Sequence, residues 1–304
     1  MEKLTFTVNA EEAGQQVKKV VRSKFRLSSR MMTKIKYNDL ITINGSKMPG
    51  YIVLNEGDVV VVSIPDEQSQ FPAEDIPIYP IYEDEDLLII NKQAGITVHP
   101  TKGHPLHTIA NGLMTYMNNT NQNFKVRFVN RLDMDTSGVL LIAKNQIVHA
   151  DLNRQMMANK TEKTYYAVVS GCPNKNHFII DLPIGGPDPG KIGRKVVDSS
   201  EDGFPSQTEV TLLQSIKKGE NDFSLLKIKL LTGRTHQIRV HLSHIGYPIV
   251  GDPLYGGNTE IFPRQALHAE AFRFKHPLKD IVLDIHAPLP DDFKALIESM
   301  GFAL

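Results

Sequence analysis

Apolar and polar positions follow two rhythms along this chain. Residues 10–21 repeat their apolar positions at helical spacing. A second helix is expected through about Lys36, with Ser28 or Ser29 as its N-cap. Leu40-Ile-Thr-Ile-Asn-Gly-Ser-Lys then sets Asn44-Gly45 between β-prone stretches, a hairpin signal, and Gly57 turns the chain into Val59-Val-Val-Val. Beyond residue 83 short β-patterned runs dominate: Asp86-Leu-Leu-Ile-Ile-Asn, Gly138-Val-Leu-Leu-Ile-Ala, and residues 165–169, 209–213, 223–231 and 281–285. Helical patterns over 106–117, 146–158 and 235–245 interrupt them. Strands outnumber helices without regular βα alternation, which predicts an α+β fold with a mixed, largely antiparallel sheet.

Charge divides the same 304 residues. Residues 1–65 hold ten bases and six acids, residues 66–90 hold eight acids and no base, and the rest is mildly basic. Pro65, Pro72, Pro77 and Pro80 lie along and beside the acidic residues 66–82, the composition of a linker. The expected organisation is therefore a small domain over 1–65, a linker over 66–82 and a larger domain over 83–304. Between Val17 and Lys36 lie Lys18, Lys19, Arg22, Lys24, Arg26, Arg30, Lys34 and Lys36, with no acid. Such a cluster suits phosphate binding, and equally a solvated helix face. Cys172 is the only cysteine and no apolar run approaches the ~20 residues of a membrane span, so a cytoplasmic protein without a membrane partner is expected.

The chemistry-bearing residues gather in a few blocks. Asn130-Arg-Leu-Asp-Met-Asp-Thr-Ser-Gly138 places Arg131, Asp133 and Asp135 in a polar loop directly before an apolar strand. Asp135-Thr-Ser-Gly matches the short signature of aspartic proteases, but that chemistry needs two facing carboxylates and the chain has no second copy. In Leu231-Thr-Gly-Arg-Thr-His-Gln-Ile-Arg-Val-His-Leu, Gly233 ends a strand and Thr235 is placed to cap a helix, which puts Arg234 at the helix entrance. The helix dipole disfavours a cation there, so a partner carboxylate or a plainly exposed position each account for it. His99, His104, His107, His236, His241 and His244 fit no zinc spacing, and neither a P-loop nor G-x-G-x-x-G is present. No cofactor and no metal are expected.

Residues 1–65, with Leu27-Ser-Ser-Arg, Ile43-Asn-Gly and Glu56-Gly-Asp in order, resemble the S4-type RNA-binding domain. The larger part resembles the RluA-type pseudouridine synthases over about 83–290. The matching blocks are Asp86-Leu-Leu-Ile-Ile-Asn-Lys-Gln-Ala-Gly, Arg131-Leu-Asp-Met-Asp-Thr-Ser-Gly, Lys163-Thr-Tyr-Tyr-Ala-Val-Val-Ser-Gly, the Arg234 block, Gly251-Asp-Pro-Leu-Tyr-Gly and Leu267-His-Ala. Asn130 stands where His commonly precedes the motif, and Gln93 where Pro is usual.

The resemblance implies an isomerase that breaks the glycosidic bond of a uridine in RNA, turns the base and rejoins it through carbon 5. It implies Asp133 as nucleophile, Arg234 as the cation that keeps Asp133 ionised, Tyr165 stacking on the flipped base and Arg131 holding the opened RNA. Asp135 is expected to bond amides of its own loop. Lys18, Lys19, Arg22, Lys24, Arg26 and Arg30 would bind RNA, with large-subunit ribosomal RNA expected and transfer RNA as an alternative; no obligatory protein partner is indicated. Two other readings are a non-catalytic ribosome-assembly factor on the same fold and a glycosidase-like hydrolase on Asp133 and Asp135. The second fits poorly, because two carboxylates two positions apart do not flank a sugar at ~5–9 Å.

Overall fold

The β-prone runs after residue 80 join in one ten-stranded sheet, and the N-terminal stretch builds a separate four-stranded one. The computed structural model describes residues 2–303 except 26, 28, 30, 31, 34, 36–39, 65–68, 102, 189, 191 and 199–202.

In the N-terminal part, β1 (Glu2–Thr7), β2 (Ile41–Ile43), β3 (Ser46–Lys47) and β4 (Val59–Ile64) pair antiparallel in the order β1-β4-β2-β3. Asn44 and Gly45, both at positive φ, close the expected hairpin. Helix α1 (Val17–Lys24) buries Val17, Val20 and Val21 against Phe6, Ile41, Val60 and Val62. It starts later than the pattern suggests, because residues 10–14 form turns and Gly14 takes a left-handed φ of 79°. The second expected helix falls partly outside the described residues.

The acidic segment is not a free linker. Pro80 already lies in β5 (Pro80–Glu83), and the extended chain before it rests on helix α2 (Ile109–Asn119). There Asn111 donates to the Pro72 carbonyl, Thr115 to the Glu74 carbonyl, and Ile76 sits against Gly112. Proline composition signalled an extended chain, and α2 supplies donors to carbonyls that no sheet partner satisfies. Ile147 of helix α3 (Gln146–Met157) joins the N-terminal apolar cluster, so the two parts meet there.

The large sheet comprises β5, β6 (Leu87–Lys92), β7 (Arg127–Phe128), β8 (Ser137–Ala143), β9 (Glu162–Ser170), β10 (His177–Asp181), β13 (Gln207–Lys218), β14 (Asn221–Leu230), β15 (Leu267–Lys275) and β16 (Val282–His286). Its main path runs β10-β13-β14-β9-β15-β8-β6-β5, with β16 on β15 and β7 on β8. All pairs are antiparallel except β15 with β8, so the mixed, largely antiparallel α+β expectation holds. β11 (Ile184–Gly185) and β12 (Lys195–Val196) form a separate two-stranded arm.

Leu87–Ile90 of β6 and Val139–Ala143 of β8 are apolar without alternation because both faces of these strands are covered. Leu88, Ile90, Leu140 and Ile142 pack with Ile109, Leu113 and Met117 of α2, whereas Leu87, Ile89, Val139 and Leu141 pack with Val148 and Leu152 of α3. Helix α4 (Gln237–His244) buries Ile238 and Leu242, and α5 (Asp291–Met300) buries Phe293 and Leu296 in the first of these clusters. No helix among the described residues is long and apolar enough to cross a membrane.

Candidate active site

The polar loop before β8 is held from three directions. Lys92, at the end of β6 and fully buried, donates from Nζ to the carbonyls of Gln93, Met134 and Thr136 at 2.8–2.9 Å. Burial pulls its pKa down to about 7, with Asp135 and Asp133 opposing the fall. Arg264 donates to the Asp135 carbonyl while gripping Asp292 through two nitrogens. Asn130, standing where His is common, donates to the Val139 carbonyl and accepts from the Leu141 amide, tying the loop entrance to β8. Behind the loop Gly138 has φ 117°, and a Cβ there would lie 2.1 Å from the Ala269 carbonyl oxygen of β15, so only glycine fits this parallel seam.

The loop presents Asp133 half-buried, with 26% of its side chain exposed. Arg239 meets it, Nη1 donating to Oδ2 at 3.0 Å. The same guanidinium grips Asp252, Nε to Oδ2 at 2.7 Å and Nη2 to Oδ1 at 2.9 Å. Asp252 is fully buried, and its Oδ1 also accepts the amides of Leu254 and Tyr255. Burial works against the charge on Arg239, but Asp252 and then Asp133 outweigh it and raise its pKa. The pairing expected for Arg234 therefore belongs to Arg239. Thr235 does not cap α4: the N-cap is His236, in a left-handed conformation, and the helix begins at Gln237. That start turns Arg239 inward in the first turn, while Arg234 stays exposed, 5.4 Å from the Phe204 ring and 3.4 Å from the Pro205 carbonyl.

Tyr165 of β9 is buried, and desolvation followed by the nearby Asp133 charge raises its phenol pKa. Tyr166 follows on the alternate side of the strand and is only partly buried. Arg131, in the same loop as Asp133, is exposed. The Asp135 carboxylate accepts no hydrogen bond from its own loop among the described residues; its electrostatic neighbour is Lys92. His236 completes the surroundings, Nε2 standing 3.9 Å from Asp133 Oδ1.

Among the described residues, the group with metal-ligand spacing is Asp84, Asp86 and His276, at the β5–β6 turn. Protein donors already occupy it. Asp84 accepts from Tyr82, Lys279 and two backbone amides, and His276 Nδ1 takes the amides of Leu278 and Lys279, leaving its Nε2–H for Asp84. These bonds outweigh the burial of Asp84 and lower its pKa.

A cavity of about 740 Å³ lies not at Asp133 but on the N-terminal part, lined by Lys18, Lys19 and Arg22 with Leu27 and Met32. Lys24 is committed elsewhere, to Glu12 at 2.6 Å and to the Phe6 ring, so folding breaks the acid-free run read from the sequence. Arg26 and Arg30 lie outside the described residues.

Behind the site, buried His268 of β15 shares Nδ1 with Ser137 Oγ at 2.9 Å and faces the Ala287 carbonyl with Nε2. Nε2–H donates to the carbonyl, so Nδ1 accepts the serine proton and the ring is neutral. Burial holds its pKa down to about 4, against 6.5 for an unperturbed imidazole. Between those values the unfolded chain binds more protons than the native one, so stability falls as pH drops through that window, by up to about 3 kcal/mol. His268→Gln should reduce this loss in urea titrations at pH 7 and pH 4.5. An unchanged difference between the two pH values would contradict it.

Residues 86–244 match the sequence model for RNA pseudouridylate synthase. The chain is 40% identical over 276 residues to an uncharacterized RNA pseudouridine synthase of Bacillus subtilis, covering 90% of this chain and 95% of that protein. It is 33% identical over 314 residues to the ribosomal large subunit pseudouridine synthase D of Escherichia coli, covering 98% and 94%. The human RNA Pseudouridylate Synthase Domain Containing 1 structure superposes with a TM-score of 0.58 at 27% identity, covering 72% of this chain and 86% of that one.

Proposed function

This chain belongs to the RNA pseudouridine synthase family, and from that premise we propose that Asp133 is its nucleophile and that the substrate is large-subunit ribosomal RNA. As an RNA pseudouridine synthase it is an isomerase: the uridine base is detached, turned and rejoined through carbon 5, with no net change in atoms.

The observation that carries the assignment is the partly open Asp133 carboxylate on Arg239, beside buried Tyr165. A carboxylate needs a cation to stay ionised where water is excluded, and Arg239 is itself anchored by Asp252. One Asp133 oxygen accepts from Arg239 while the other is left to face the sugar or the base. Tyr165 offers an aromatic face to the base. A stacked uridine cannot reach this loop, so the nucleotide must leave its stack, at a cost of roughly a few kcal/mol. Exposed Arg131 and Arg234 are available to hold the opened backbone.

The ribosomal reading rests on names such as that of the Escherichia coli relative, and a cytoplasmic location is part of the same proposal. Mapping pseudouridines in ribosomal and transfer RNA from cells with and without this chain tests it. Loss of sites in large-subunit RNA is expected; loss confined to transfer RNA would contradict it.

The N-terminal part is assigned the grip on RNA, as an S4-like domain with exposed Lys18, Lys19 and Arg22 around its cavity. Deleting residues 1–64 keeps the segment on α2 and should weaken RNA binding while leaving turnover on saturating short RNA nearly unchanged. Three lost phosphate contacts would make the log–log salt slope shallower by about 2–3. An unchanged affinity and slope would leave the basic face a mere solvated surface.

A further inference from the structure

Tyr255, which the catalytic assignment leaves unused, joins the site to the arm formed by β11 and β12. Tyr255 lies in the Gly251-Asp-Pro-Leu-Tyr-Gly block, its ring 5.1 Å from the Arg239 guanidinium. Its hydroxyl oxygen accepts the backbone amide of Arg194, in the arm, at 2.8 Å. The same oxygen is 2.9 Å from Nδ1 of His236. Gly193 next door has φ 105°, and a Cβ there would come within 3.1 Å of the tyrosine oxygen, so the arm backbone approaches as closely as it does because no side chain intervenes.

Proton counting gives this chain of contacts a direction. The Arg194 amide can only donate, so it takes an acceptor position on the phenol oxygen. Among the described residues the phenol proton has one acceptor, Nδ1 of His236. Nδ1 is then unprotonated, and a neutral ring carries its hydrogen on Nε2. Burial lowers the His236 pKa against the pull of Asp133, which favours that neutral ring near pH 7. Nε2 stands 3.9 Å from Asp133 Oδ1, the oxygen that Arg239 leaves free. With hydrogen on Nε2 the ring attracts the carboxylate; in the other tautomer a nitrogen lone pair would face the carboxylate lone pairs and repel it. His236 holds this place at φ 58°, a backbone conformation that a side-chain-bearing residue keeps only when its surroundings enforce it.

We propose that Tyr255 is a positioning residue that, with the arm docked on its hydroxyl, sets the His236 tautomer and so orients Asp133 for attack. The inference rests on Asp133 as nucleophile. It couples the seating of the arm to the readiness of the carboxylate. When the Arg194 amide withdraws, the phenol oxygen is free to accept from Nδ1–H, and the tautomer that repels Asp133 becomes accessible.

Two measurements test it. The tautomer is read in the free, full-length protein from long-range ¹H–¹⁵N correlations of the imidazoles, with His236 assigned by its loss in His236→Ala. The Nε2–H form is expected, and a predominant Nδ1–H or doubly protonated ring would overturn the proposal. This reading holds whether or not Asp133 proves catalytic, so it separates failure here from failure of the nucleophile assignment. The second measurement is a double-mutant cycle on RNA isomerisation. Tyr255→Phe keeps the ring by Arg239 and should lower kcat by about 10-fold with KM within about twofold. His236→Ala should lower kcat at least as much, and adding Tyr255→Phe to it should cost less than about twofold more. Multiplicative losses, or a Tyr255→Phe effect confined to KM, would show that the tyrosine does not act through the histidine.

Discussion

Asp133→Asn abolishes isomerisation, lowering turnover by more than about 100-fold, while RNA affinity stays within a few-fold. The amide matches the carboxylate in shape, and its oxygen can still accept from Arg239, whose other nitrogens remain on Asp252. The loop should therefore keep its place, held by Lys92, Arg264 and Asn130. What is lost is the charge that attacks. Binding to RNA and turnover, measured on the same preparation, separate the two effects, and residual activity above about a percent of wild type would remove Asp133 from the role.

Arg239→Gln carries the second large effect, and it strikes twice. Activity should fall by at least about 100-fold, because Asp133 loses its cation. Stability should fall by about 3–5 kcal/mol, because fully buried Asp252 is left with an unpaired charge. The two losses come apart in Arg239→Gln/Asp252→Asn, which removes the stranded charge and should recover much of the stability and none of the activity. Arg234→Ala is the contrast: exposed and clear of Asp133, it should raise KM for RNA and spare kcat. Chemical denaturation with single-turnover kinetics checks all three variants. A fall in kcat for Arg234→Ala with Arg239→Gln still active would reverse the assignment.

The confusion between these two arginines shows where the sequence stops being informative. Both lie in one twelve-residue block, and a helix capped by Thr235 would put Arg234 at its mouth. The helix starts at Gln237 because His236 adopts a left-handed conformation, and such a start has no reliable signal in a single chain. A clue was present in Asp252, an acid in an otherwise apolar and glycine-rich block that needs a buried cation. Strands β6, β8 and β9 were legible because each is a compact β-prone run. The alternating Leu4 and Phe6 of β1, continued by Val8 just after it, carried the same kind of signal, whereas β15, with His268, Glu270 and Arg273 along it, is spoiled by residues serving partners elsewhere. Lys92 looked like an ordinary lysine after a strand. Its role appears only when the carbonyls of a loop more than forty residues away surround its ammonium group. Tertiary partners of this kind leave no local trace.

Tritium release tests most directly whether this protein isomerises uridine within RNA through Asp133. RNA transcribed with uridine tritiated at carbon 5 is incubated with wild type and with Asp133→Asn, and the products are digested to nucleosides. Wild type should release tritium to water in step with pseudouridine, with the RNA chain intact and no free uracil, and Asp133→Asn should release none. Free uracil from the wild type would mark a hydrolase, and tritium release by Asp133→Asn above about a percent of the wild-type rate would contradict the nucleophile.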